Sequence, residues 1–153
     1  MAVSKSFLIV EEYIRAEWLH RKYGQVFTKK IAPLRNNGFF AFDAVSNDGQ
    51  IVGCISANSG RAKKGGFAKS KMRKIHSDIM FLILSEAPQK LMILADKDIY
   101  DYSMSEQQRG RLPQEIELCL ADLSDSMTAL LSEAQEAASR EISVKLAEIT
   151  SSL

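Results

Sequence analysis

The chain has 153 residues, of which 46% are hydrophobic and 25% charged. That balance is the one expected of a single folded domain, and it excludes a disordered chain or a collagen; two cysteines are too few for a disulfide scaffold. The formal net charge of +1 is an average over two unlike halves: residues 1–76 hold 14 Lys and Arg against 5 Asp and Glu, whereas residues 77–153 hold 6 against 14. A split of that kind points to contact with nucleic acid or a membrane surface.

The residues predict a helix over 4–23, with Ser4 as cap, Gly24 as stop, and Phe7, Val10, Ile14 and Trp18 along one apolar face. Residues 25–31 form a first strand, and residues 38–45, aromatic and β-branched, form a second. Ser46, Asn47, Asp48 and Gly49 make a hairpin turn, and residues 50–57 return as a strand apolar on both faces. A Gly- and Lys-rich loop over 58–68 leads into a helix over 69–86, a buried strand over 91–95 and a helix over 97–109 capped by Asp96 and stopped by Gly110. A strand over 116–120 and a long Ala- and Glu-rich helix from residue 124 to about 149 complete the order. Helical crossovers favour parallel pairing of the later strands. The expected fold is therefore α/β, a mixed sheet flanked by helices. Residues 1–122 form one domain, and the helix within 123–153 packs on it or mediates a homodimer.

Cys54 and Cys119 lie in separate apolar runs with no zinc-type spacing, so both read as buried, reduced core residues of a cytoplasmic protein. Residues 1–5 lack the opening of a secretory signal, and the longest apolar run, residues 79–84, is far too short to span a bilayer. No membrane partner is expected.

Seven cations, Arg61, Lys63, Lys64, Lys69, Lys71, Arg73 and Lys74, fall within fourteen residues, and no acidic residue occurs between Asp48 and Asp78. Cations at a helix start oppose the macrodipole, a conflict that a bound polyanion relieves. The segment reads as a phosphate-contacting surface for DNA or RNA. It is no P-loop, because Gly66-Phe67 stands where the phosphate-binding Lys and the magnesium-binding hydroxyl belong.

Asp43 sits inside the strand Phe39-Phe40-Ala41-Phe42-Asp43-Ala44-Val45, where a carboxylate needs a partner, a cation or solvent. Glu11 lies about 55° from the centre of the first helix's apolar face and Glu12 nearly opposite it, so Glu11 is the one placed to border a cleft. Two carboxylates near one sheet suit a divalent cation.

With these positions the chain resembles the PD-(D/E)XK superfamily, the restriction-endonuclease-like fold, over about residues 4–95. The resemblance implies a helix–three strands–helix–strand core, with Glu11 as the helix acid and Asp43 as the metal-binding strand Asp. It places the third-strand acid at Cys54 and the lysine at Ser56, so both motif positions are degraded. It further implies Mg²⁺ held by Asp43 and Glu11, with Lys69, Lys71 or Lys74 from the following helix replacing the strand lysine. The expected function is nucleic-acid binding on a nuclease fold with an eroded endonuclease site. The alternative is a non-enzymatic assembly protein that self-associates through its basic and acidic halves and its last helix.

Overall fold

A computed structural model describes residues 2–60, 66–67 and 69–151. Arg61, Lys63 and Lys64 lie outside the described residues.

The first helix, α1 (Ala2–Tyr13), passes into a wider π-helical turn (Ile14–Trp18) and then α2 (Leu19–Tyr23). In the wide turn the Leu19 N–H donates to the Ile14 carbonyl, five residues back. Gly24 stops the run at a φ of 68°, which glycine adopts without a Cβ penalty. Ser4 lies inside the helix, which has already begun at Ala2, so it is not the cap.

Strands β1 (Phe27–Pro33), β2 (Phe39–Ser46) and β3 (Ile51–Ser56) form an antiparallel meander. A 3₁₀ turn (Lys69–Lys71) opens α3 (Met72–Leu84), which leads to β4 (Gln89–Leu94); α4 (Lys97–Gln108) leads to β5 (Ile116–Leu120). Both crossovers deliver parallel strands, and the sheet order is β1-β2-β3-β4-β5. The chain is thus an α/β fold with a mixed sheet flanked by helices. β1 begins two residues later than the composition suggests and ends at Pro33, which an edge strand tolerates.

Apolar groups pack on both faces of the sheet. Phe42, Val52, Cys54, Met92 and Leu94 meet Met72, Ile75, Ile79 and Leu82 of α3 on one face. Ala44, Ile55, Leu91 and Ile93 meet Val10, Ile14 and Leu19 on the other, together with Leu131 of α5 (Asp125–Ser151). Every residue of β3 is buried, as a strand covered on both faces requires. Both cysteines are buried and unpaired.

Two irregularities shape the middle of the sheet. Between Thr28↔Val45 and Lys30↔Phe42, β1 advances two residues and β2 three, so β2 bulges at Asp43–Ala44. Ladder pairing between β2 and β3 holds at Val45↔Val52 and Ala44↔Gly53 and stops at the bulge.

Candidate functional site

Where β2 leaves β3, the Ile55 peptide loses its strand partner. Its N–H donates to Asp43 Oδ2 at 2.8 Å, and its carbonyl faces Lys74 Nζ at 3.4 Å. Two side chains from opposite faces of the sheet thus stand in for the missing ladder, since buried backbone groups need partners. The opening of the hairpin becomes a place where charged groups meet.

Glu11 reaches this opening from α1. Burial raises its pKa above the usual carboxylate value, and the charge and hydrogen bonding of Asp43 raise it further; Arg15 and Lys29 oppose the rise. The two carboxyl groups are therefore close enough for one to act on the other. Glu11 and Asp43, the two carboxylates singled out in the sequence, are thus brought near each other.

Arg15 ties the pair together. Its Nε donates to the Asp43 carbonyl at 2.6 Å, Nη2 lies 3.3 Å from Glu11 Oε2, and Nη1 bonds Glu12. The guanidinium is nearly buried, with 7% exposure of the residue. It comes from the π-helical turn, where the widened helix carries it under β2. Arg15, Lys29 and Asp78 escaped the sequence reading. For Arg15 the available signal was its position four residues after Glu11, a spacing that places both on one helix face.

On the opposite face α3 contributes an ion pair. Lys74 Nζ donates to Asp78 Oδ2 at 2.8 Å. Burial works against the Lys74 charge, but the hydrogen bond and charge of Asp78, with the charge of Asp43, outweigh it and raise the lysine pKa. Burial raises the Asp78 pKa, against the pull of Lys74. Of the three lysines considered for a catalytic role, Lys74 is the one placed at the opening. Lys69 and Lys71 lie in the preceding 3₁₀ turn, and Arg73 is exposed on α3.

Cys54 and Ser56 are both buried. Burial pushes the Cys54 thiol well above its ordinary pKa, with Asp78 and Asp43 adding to the rise, so it remains an uncharged thiol. The Ser56 hydroxyl is buried and has no hydrogen-bond partner among the described residues. Two adjacent carboxylates fit a Mg²⁺ that keeps most of its water shell, but the Cys54 thiol is not a hard oxygen ligand and adds nothing to such a site. Among the described residues no group of three or more His, Cys, Asp and Glu side chains is placed to hold one ion.

Neither histidine enters the site. His20 Nδ1 lies 3.0 Å from the Gln25 carbonyl at the surface, and His76 is exposed on α3. Asp96 caps α4 by accepting from the Ile99 N–H at 3.1 Å, as its position before the helix suggests. Its Oδ2 also accepts the Gly60 N–H at 3.0 Å, which anchors the start of the basic loop. No described helix is long and apolar enough to cross a membrane.

Comparison of the chain with protein-family models, curated proteins and solved structures gave no match.

Proposed function

We propose that the chain is a nucleic-acid-binding protein of the restriction-endonuclease-like type, with a two-carboxylate site at the opening of β2 and β3 and an eroded third-strand motif. The observation that carries this reading is the meeting of Glu11 and Asp43, from separate elements, at the point where the hairpin splits. Lys74 approaches the same peptide from the other face and is the lysine assigned to the site. The cationic run from Arg61 to Lys74 supplies the phosphate contacts, and Asp43 and Glu11 are the groups that would hold Mg²⁺. The metal's contribution when bound is charge stabilisation at phosphate and activation of water. Two buried, unpaired thiols accord with a reducing, cytoplasmic setting.

The test is binding and cleavage of DNA and RNA with Mg²⁺ or Mn²⁺, comparing wild type, Asp43→Ala and Asp43→Asn. The expected result is binding that weakens steeply with salt, with any cleavage lost in both variants. Cleavage equal in all three proteins removes the metal-site assignment, and absence of binding at low salt removes the reading as a whole.

A second reading, self-association, is favoured by the far end of α5. There Val144 and Leu146 are more than half exposed, while Leu131 and Ala134, near the start of the helix, are its buried side chains among the described residues.

A further inference from the structure

Beside the carboxyl pair lies a bare stretch of sheet. Phe40 and Phe42 point toward α3, where Phe40 stacks on Phe81 with ring centroids 4.0 Å apart. Strand alternation sends Phe39 and Ala41 to the opposite face, the one that α1 covers farther along. The same alternation sends Asp43 to that face, next to Glu11 and Arg15, and the bulge brings Ala44 to it as well. Across the ladder Pro33 pairs with Phe39 and Ile31 with Ala41. Their side chains share that face, and Lys29 follows on it next to Glu11.

All of these shelf residues are exposed: Phe39 by 72% and Ile31 by 65%, with Pro33, Ala41 and Lys29 also open. An aromatic ring thus lies uncovered about 13 Å along the strand from Asp43, and Lys29 stands on β1 across from the bulge at Asp43–Ala44. Lys29 on the shelf and Arg35 just beyond it are exposed, no acidic residue occurs between Glu17 and Asp43, and the carboxyl groups of Glu11 and Asp43 lie at one end of the shelf.

We infer that this shelf is a stacking platform for the unpaired bases of a single-stranded nucleic acid, with its backbone drawn along Lys29 toward the Glu11–Asp43 opening. The inference rests on the proposed nucleic-acid-binding function and specifies its substrate class. An exposed aromatic face accepts any base, and nearby cations track the backbone; this is how sequence-tolerant single-strand binding works. A duplex keeps its bases stacked on one another and offers no face to Phe39, so it gains only the phosphate contacts. The cationic rim favours a polyanion over a second copy of the shelf, which would bring lysines against lysines.

Wild type, Phe39→Ala and Phe39→Trp are titrated at low salt with labelled oligothymidine, oligoadenosine and a blunt duplex, and the mass of each protein is followed by sedimentation. Wild type should prefer the single strands. Phe39→Ala should lose about tenfold or more of that affinity with little change toward the duplex, and Phe39→Trp should keep it. Phe39 is largely exposed, so these variants leave the core intact. Single-strand affinity unchanged in Phe39→Ala overturns the platform while leaving nucleic-acid binding in place. A dimer that Phe39→Ala converts to monomer, with oligonucleotide affinity unchanged, reassigns the shelf to self-association. Failure of wild type to bind either form removes the proposed function and the platform together.

Discussion

Glu11 is held between opposing influences. Arg15 and Lys29 favour its charged form, whereas burial and the neighbouring Asp43 disfavour it, and the balance raises its pKa above the ordinary 4.5. The folded chain therefore binds this proton more tightly than the unfolded chain does. Its contribution to stability is complete below pH 4.5 and is lost as the pH rises through the higher folded value. Glu11→Gln mimics the protonated form at every pH, so the variant should match wild type in acid and become the more stable protein toward neutrality. Urea unfolding across that range reads the difference directly. A stability gap that is constant from below pH 4.5 to neutral would show that folding does not raise the Glu11 pKa. Asp78 is raised for the same first reason, burial, and leaves a parallel slope in both proteins.

At the scale of elements, what could be read from the sequence followed from periodicity and residue type. Val10, Ile14 and Trp18 mark the buried face of the first helix, and the continuous apolar run of β3 marks a strand covered on both sides. Asp43 stood out as a carboxylate in an aromatic strand. The features that build the site around it were not legible, because they are departures from regular geometry. The bulge at Asp43–Ala44 depends on the register against β1, and the π-helical turn that places Arg15 is one extra residue in a helix whose composition is ordinary. Lys29 gave no signal because it lies in a strand beside other cations and acts across the sheet. Lys74 stood in the sequence among several lysines, and only the start of α3 one turn after Lys69 sets which of them faces β3.

Asp96 illustrates an element-scale role that its position did suggest, with an addition that it did not. Its carboxylate caps α4 and also holds Gly60 at the entrance to the basic loop. Nearby, Phe67 stacks on Tyr102 of α4 with centroids 4.3 Å apart, so the loop is tied to this helix at both of its ends. Asp96→Ala should cost about 1–2 kcal/mol of stability, the range for losing a helix cap, whereas Asp96→Asn, which still accepts from both N–H groups, should cost less. Thermal unfolding gives the ranking. Equal loss in the two variants would mean that charge, rather than the accepted hydrogen bonds, is what the position supplies. Oligonucleotide affinity should fall with Asp96→Ala more than with a stability-matched change elsewhere, because the loop entrance is released.

Across the whole molecule the opposite charges of the two halves fall on different elements. The described cations of the first half lie mostly in the first helical run, β1 and the start of α3, while the acids of the second half lie mostly in α4, β5 and α5. The last helix is divided as well. Leu131 and Ala134 are its buried side chains among the described residues, and Gln135 Nε2 donates to the Ala57 carbonyl at 2.9 Å, fixing the helix beside the end of β3. Beyond that point the described side chains from Val144 onward are exposed. A helix whose described side chains from Val144 onward are exposed depends on the docked part for its place, since isolated helical segments of that length are marginal in water. Removal of residues 140–153 should therefore leave the unfolding transition within a few degrees of wild type, as exposed residues contribute little each, whereas Leu131→Ala should cost about 2–5 kcal/mol. Sedimentation of the shortened chain separates the two functional readings at this scale. If the far half of α5 is a dimer seam, the mass falls on truncation and oligonucleotide binding is unchanged. If the molecule works through the hairpin opening and its cationic loop, neither mass nor binding moves, and a large drop in the unfolding temperature would show instead that the exposed half is covered in solution.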